Sequence, residues 1–450
     1  MMERLFGTDG VRGIANKEIT CPLAYAIGQA MTHKLANGNK KPTVAIGKDP
    51  RISSEMLESA LVSGILSAGG NVLKLGVSPT PAVSLLTKQY HCDGGIMISA
   101  SHNPAEYNGI KLFDENGMKF SDETEDMIET LITNIDQIPK PSGDGIGRIL
   151  PSPNAKEDYM NWLISKVSAD FSGMKIALDC ANGATSQIAQ DMFIRLGADV
   201  FVTANRPNGV NINQNCGSTH MENLCRFAKE TGADFGISFD GDGDRALFCD
   251  EFGQEVDGDQ VLAIFAYHLK QQNNLTKNTL VATVMSNLGL TLFAKEHGIL
   301  VVNTKVGDRY VWEELQKGGY CLGGEQSGHI IFPRDAVTGD GLLTALKMAE
   351  MIAKGTVPLS QLASLMTKLP QVLYNVKITK DAKEKIPKDT ALLAILEDTK
   401  TILGDRGRVL LRPSGTEPLY RIMLEGESPE KISELGEKIV FHLQTNYAEP

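Results

Sequence analysis

The apolar residues of the chain fall into short runs separated by polar loops. "TVAIGKDPR" (Thr43–Arg51), "KIALDCANGA" (Lys175–Ala184) and "TLVATVMSN" (Thr279–Asn287) each read as an apolar strand running into a polar loop. Apolar residues at three-to-four spacing follow in "SEMLESALVSGILSAGG", "SQIAQDMFIRLGA" and "LGLTLFAKEHG", and predict a helix each time. A glycine near the end of each suits the left-handed residue that closes a helix. A further strand comes next in all three: "NVLKLGV", "DVFVTAN" and "ILVVNTKV". Three copies of strand, helix, strand predict three similar α/β domains, although such units also recur by chance in any α/β chain.

From "KLPQVLYNVKIT" onward the pattern changes to a strand, a helix around "DTALLAILEDTKTIL", strands around "GRVLLRPSG" and "YRIMLEG", and a closing helix "SPEKISELGEKIVFHLQTNY". The expected fold is therefore α/β, three similar α/β domains plus a smaller C-terminal α+β domain. The expected boundaries are 1–153, 154–252, 253–367 and 368–450.

A chain of 450 residues, 42% hydrophobic and 22% charged, can fill several cores and is too long for one. Its net charge of −11 argues against binding nucleic acid or anionic membranes, so any anion site must be local. The seven cysteines are scattered without a C-x-x-C pair, which points to a reducing compartment and away from structural zinc. "MMERLFGTDG" lacks the apolar region of a signal peptide and runs such as "VLAIFAY" are too short to span a bilayer. A cytoplasmic, soluble protein is expected.

Candidate chemistry begins in "GADFGISFDGDGDRALFCDE", with Asp240, Asp242 and Asp244 separated by glycines. Glu251 stands at position twelve from Asp240, as in an EF-hand, but position six is Arg245 where that loop needs glycine, and both flanks read as strands. Asp-Gly runs are also ordinary turns. Three carboxylates this close nevertheless repel one another unless a cation sits among them, which favours a divalent ion. Magnesium takes few carboxylates and often a phosphate, so phosphate chemistry is expected elsewhere.

"MISASHNPAEYNGIKLF" (Met97–Phe113) starts as a strand and breaks into a loop with Ser101 beside His102 and with Lys111 further on. Side chains of adjacent residues usually diverge, no G-x-S-x-G elbow is present, and a turn serine bonded to its own backbone is the plain alternative. "LLRPSGTEPLYRIMLEG" (Leu411–Gly426) offers Arg412, Ser414, Gly415, Thr416 and Arg421, hydroxyls and guanidinium forks suited to phosphate. Its alternative is a capping box at Ser414-x-x-Glu417. "YCLGGEQSGHIIF" (Tyr320–Phe332) holds Glu325, Ser327 and His329 between glycines, groups that suit sugar hydroxyls. "TKVGDRYV" and "FGTDGVRG" add Arg309 and Arg12 in glycine-bounded turns.

In order along the chain, "SASHNP", "DGDGDR", "GEQSGH" and "RPSGT" make the sequence resemble the α-D-phosphohexomutase superfamily. "FGTDGVRG", "NINQNCGSTH" (Asn211–His220) and Gln326 make it most similar to the bacterial branch acting on glucosamine phosphates. The resemblance implies mixed sheets and four domains around a central cleft. It implies a phosphorylated Ser101 that, with Asp240, Asp242 and Asp244, holds one Mg²⁺ per chain. Catalytic roles are implied for Ser101, His102, Lys111, Arg12, Arg245 and His329, and substrate binding for Gly307, Asp308, Arg309, Glu325, Ser327, Arg412, Ser414, Gly415, Thr416 and Arg421.

The implied reaction interconverts glucosamine 6-phosphate and glucosamine 1-phosphate through a 1,6-bisphosphate that also serves as activator, on the route to cell-wall precursors. The phosphosugar is the expected partner, nucleic acid and membrane are not, and a homodimer stays open. A phosphomannomutase or phosphoglucomutase of the same superfamily, or a magnesium-dependent sugar phosphatase, remain alternatives.

Overall fold

The computed structural model describes residues 4–7, 9–36, 41–151, 153–379, 382–413 and 419–448. The chain divides into two compact units. One runs to Met285 and includes Ile299–Leu365; the other is Ser286–Gly298 with the chain from Met366 onward.

The first unit holds three sheets. The first comprises β1 (Val11–Ile14), β2 (Thr43–Lys48), β3 (Asn71–Val77), β4 (Gly94–Ile98) and β5 (Tyr107–Asp114) in the order β1-β5-β4-β2-β3. The second comprises β6 (Lys175–Asp179), β7 (Asp199–Thr203), β8 (Phe235–Phe239), β9 (Ala246–Cys249) and β10 (Glu255–Val256), ordered β10-β9-β8-β6-β7. The third comprises β11 (Thr279–Thr283), β12 (Leu300–Thr304), β13 (Gly323–Gly324) and β14 (Ile330–Ile331), ordered β12-β11-β13-β14.

One plan underlies all three. A central strand (β2, β6 or β11) pairs in parallel with the strand that follows it and with the next one on its other side; that third strand then turns back into an antiparallel fourth. The repeat legible in the sequence is thus a repeat of mixed sheets. The three glycines expected to close the helices are left-handed, Gly69 at φ 89°, Gly197 at 94° and Gly298 at 62°.

Strands β2, β4 and β5 are buried nearly throughout, and every second residue, Val44, Ile46, Ile96, Ile98, Ile110 and Leu112, packs beneath Ile27, Leu61 and Ile65 of the helices Cys21–Leu35 and Ile52–Ser67. The second stretch expected to be helical breaks into a 3₁₀ turn, Ala184–Gln187, and a short helix, Ala189–Arg195.

In the second unit, β15 (Gln371–Lys377), β16 (Arg408–Pro413) and β17 (Leu419–Glu425) form an antiparallel sheet ordered β15-β17-β16. The helices Thr390–Leu403 and Pro429–Tyr447 accompany it, with Ile422, Leu424, Leu435 and Ile439 in the core. This matches the expected α+β order. No described helix is long and apolar enough to cross a membrane.

Candidate active site

The repeated plan puts three sequence motifs at the same structural position. Ser101 lies in the connection from β4 to β5, the aspartates in that from β8 to β9, and Glu325–His329 in that from β13 to β14. Each is the turn from the third strand of a sheet into its antiparallel fourth.

Two of these turns meet directly. The Ser101 hydroxyl, 2% exposed as a residue, donates to Asp240 Oδ2 at 2.6 Å. The Ser101 backbone is left-handed, at φ 50°, and that turn folds its Oγ to 3.3 Å from His102 Nδ1. Adjacent side chains therefore do converge here, against the general expectation. Burial, then Arg245 and Arg12, pull the His102 imidazole down to about 4, so the ring is neutral near pH 7.

Asp240, Asp242 and Asp244 are buried, and each offers a carboxylate oxygen within 4.8 Å of the others. Asp240 also accepts from the Arg245 backbone N–H at 3.2 Å. Asp242 accepts from Thr80 Oγ1 at 2.5 Å and from Lys111 Nζ at 2.8 Å. Asp242 Oδ1 and Asp244 Oδ1 are buried and accept no hydrogen bond from the described residues. Burial, with repulsion from Asp244 and Asp242, pushes the Asp240 carboxyl well above the ordinary range. An all-oxygen set with orphaned, mutually repelling carboxylates fits a hard divalent cation such as Mg²⁺. The EF-hand alternative fails: strands flank the loop, and Glu251 bonds Ser360 instead.

Lys111, further on than the loop, is on β5. Its buried ammonium lies 2.8 Å from Asp242, 3.0 Å from Asp9 and 3.6 Å from Asp244. Burial opposes its charge, but these carboxylates outweigh burial and hold its pKa well above the lysine norm. Arg12 donates to Asp9 at 2.8 Å. Arg245 Nε approaches Asp244 at 3.7 Å, and the surrounding carboxylates raise the guanidinium's pKa against the pull of burial.

The third turn carries His329, which lies 3.7 Å from both Asp244 Oδ1 and Asp308 Oδ2. Burial lowers its basicity, and Asp244, Asp308 and Glu325 raise it by more. The Gly339 backbone N–H donates to Nε2 at 3.0 Å, which places a neutral ring's proton on Nδ1, toward Asp244. Glu325 accepts from the Gly307 N–H at 3.1 Å, tying the two expected sugar-binding stretches together. Ser327 is half-buried on the same turn. Arg309 is engaged by Asp122 at 2.5 Å and Glu313 at 3.0 Å. Gln326 turns away to Asp257 Oδ2 at 3.4 Å, on the residue that caps the helix Gly258–Gln271.

In the second unit, Arg412 and Arg421 are paired across β16 and β17. Burial and the neighbouring Arg421 charge lower the Arg412 pKa, an electrostatic strain that a bound anion relieves. Ser414, Gly415 and Thr416, with the capping-box alternative at Ser414, lie outside the described residues.

Sequence reasoning missed Asp9 and Lys119. Lys119 bridges Asp9 at 2.5 Å and Asp308 at 2.6 Å, linking the first sheet's domain to the third's. Asp9 sat inside the quoted "FGTDGVRG" beside Arg12; nothing local marked Lys119.

Phosphoglucomutase/phosphomannomutase family models match four stretches in turn: α/β/α domain I at residues 3–139, domain II at 157–253, domain III at 257–369 and the C-terminal domain at 373–440. A phosphoglucosamine mutase of Acetivibrio thermocellus is 50% identical over 441 residues, 98% of each chain. That of Caldanaerobacter subterraneus subsp. tengcongensis is 51% identical over 438 residues, 97% of this chain and 98% of the other. The crystal structure of a phosphoglucomutase/phosphomannomutase family protein of Burkholderia thailandensis superposes with a TM-score of 0.83 at 23% identity, covering 100% of both chains. Fold, site and relatives agree: the chain belongs to the α-D-phosphohexomutase superfamily of isomerases, in its bacterial phosphoglucosamine mutase branch.

Proposed function

We propose that the chain interconverts glucosamine 6-phosphate and glucosamine 1-phosphate with Ser101 as the phosphoryl carrier. The observation that carries this reading is the Ser101 hydroxyl held 2.6 Å from Asp240 within a buried carboxylate triad. In the first half-reaction the bond from phosphorus to Ser101 Oγ breaks and one to the sugar O1 forms. The proton of the attacking hydroxyl ends on Oγ. In the second, after the 1,6-bisphosphate has turned round, the bond from phosphorus to O6 breaks, phosphoserine re-forms, and the serine proton passes to O6.

The side chains supply position and charge for this transfer. One Mg²⁺ held by Ser101's phosphate and Asp240, Asp242 and Asp244 supplies neutralisation of the phosphoryl charge when bound. Lys111 and Arg245 add fixed cations beside it, and the proton moves through groups drawn from Lys111, Arg12, His102 and His329. Near-complete burial of Ser101 limits hydrolysis of its phosphate ester by water. Glu325, Ser327, Gly307, Asp308 and Arg309 take the sugar, and Arg412 and Arg421 take phosphate.

Initial rates on glucosamine, glucose and mannose 6-phosphates, measured side by side with free phosphate followed in parallel, test the reading. A preference for glucosamine 6-phosphate with isomer as product is expected. A marked preference for glucose or mannose overturns the substrate, and phosphate release without isomer overturns the mutase reaction.

A further inference from the structure

The segment "NINQNCGSTH" marks the branch of the family, and the reaction as described above assigns it no task. It lies after β7 and forms no strand or helix before His220. Its backbone is locked onto the end of the second sheet. Asn213 N donates to Ala181 O at 2.9 Å, Ser218 N to Phe239 O at 3.0 Å, and the buried Asp179 carboxylate accepts from Gly217 N at 2.9 Å and Ala181 N at 2.8 Å. Phe239 is the last residue before the metal-loop aspartates, so the segment and that loop share one rigid base.

From this base the Asn213 side chain, on a residue only 7% exposed, crosses to the first domain. Its Nδ2 donates to Ser101 O at 2.9 Å and Asn103 O at 3.0 Å. Two carbonyls facing one amide require the donor end there. Arg51, fully buried against Asp49, donates to the same two oxygens, at 2.9 Å to Ser101 O and 2.8 Å to Asn103 O. The third wall is Gly241: a Cβ there would lie 2.5 Å from Ser101 O and 2.9 Å from Asn213 Nδ2. The Ser101 carbonyl is thus seated against the metal loop, in a residue whose left-handed φ of 50° a serine does not choose unaided.

We propose that Asn213 is a positioning residue for phosphoryl transfer: its amide, carried by the second domain, pins the Ser101 carbonyl against the metal loop and so fixes Ser101 Oγ over the carboxylate triad. The proposal rests on the reading that Ser101 carries the phosphoryl group. Arg51 restrains the loop within its own domain; Asn213 restrains it relative to the second domain, which carries the carboxylates.

Asn213 itself has φ 58°, so a backbone role must be separated from the amide's role. Asn213→Gly keeps the left-handed backbone and removes the amide, and Asn213→Asp keeps the shape but turns a carboxylate toward two carbonyl oxygens. Both variants, the parent and Ser101→Ala are compared for kcat, KM, melting temperature and, by intact mass, the rate at which phosphorylated protein loses its phosphate. A displacement near 1 Å costs about 100-fold in rate.

Asn213→Gly is expected to lose about 100-fold in kcat with KM changed less than about 3-fold, Asn213→Asp to lose more, and phosphoserine hydrolysis to change in both. A backbone-only role predicts wild-type kcat in Asn213→Gly, and that result overturns the proposal. So does a kcat loss matched by a collapse of melting temperature in both variants. Undiminished activity in Ser101→Ala overturns the phosphoserine reading itself, a failure visible independently of either Asn213 variant.

Discussion

Ser101 Oγ and Asp240 Oδ2, 139 residues apart in sequence, are 2.6 Å apart in the fold because each occupies the turn into the antiparallel fourth strand of its sheet. The pair joins a nucleophilic hydroxyl to one corner of a buried carboxylate triad. Removing the hydroxyl leaves the triad and its lysine in place. Ser101→Ala is expected to abolish turnover, by about 1,000-fold or more, while the melting temperature moves by only a few degrees. A coupled assay for glucosamine 1-phosphate together with a thermal melt checks both halves.

The triad predicts opposite signs for a single substitution with and without metal. Asp240, Asp242 and Asp244 repel one another, and burial with that repulsion already drives the Asp240 carboxyl well above its ordinary pKa. Without metal, Asp240→Asn puts a neutral amide where burial and repulsion already bias the carboxyl toward its protonated form, and is expected to melt no lower than the parent in chelator. With Mg²⁺ in excess the parent gains stability by mass action, and the variant gains less because its affinity falls by at least about 10-fold. Melts in EDTA and in a Mg²⁺ series measure both. A larger Mg²⁺-induced gain in the variant than in the parent would place the ion elsewhere.

Much of this arrangement was legible in the sequence for a physical reason. Strand, helix, strand units announce themselves by period, and glycines such as Gly69 and Gly197 mark where a helix must turn left-handed. What was not legible was made by tertiary contact. β13 and β14 are two residues each, too short for alternation to register. Lys119 meets Asp308 across 189 residues, so no local spacing betrays it. Adjacency suggested that Ser101 and His102 diverge, and the positive φ at Ser101 reversed that. Gln326 marked the branch in the sequence, yet its amide serves the cap residue Asp257.

Lys119 carries a stability prediction with a pH signature. It lies between Asp9 and Asp308, all three side chains 17% to 27% exposed. Burial pushes the Asp9 carboxyl up, but Lys111, Lys119 and Arg12 pull it further down; Lys119 and His329 do the same for Asp308. A depressed carboxylate pKa contributes stability that is present above the unfolded value near 4 and lost as pH falls through the folded one. Lys119→Met leaves the two acids facing each other and is expected to cost about 2 kcal/mol at pH 7, less than a fully buried pair because water reaches the site. Urea titrations at pH 7 and at about pH 3, below the unfolded carboxylate value, should show the penalty shrinking at the lower pH. A penalty equal at both would assign it to lost packing of the lysine stem.

The second unit offers a test confined to itself. Glu425, fully buried on β17, accepts from Arg408 Nε at 2.5 Å, from Gln371 Nε2 at 2.9 Å and from the Leu288 backbone N–H at 3.0 Å. It thereby ties the Ser286–Gly298 segment to the sheet of its own unit, and Arg408 reinforces the tie by donating to Ser286 O. Glu425→Gln keeps the volume but removes the charge that offsets the Arg408 guanidinium, and one amide hydrogen then faces a donor. A loss of about 2–3 kcal/mol is expected, because a charged group is left under-compensated in a buried site. Since these bonds lie within one compact unit, hydrogen exchange should accelerate in residues 286–298 and in β15 to β17, while the amides of β2, β4 and β5 keep their protection. Equal acceleration throughout would mean that the two units unfold as one cooperative body and that Glu425 stabilises the whole chain.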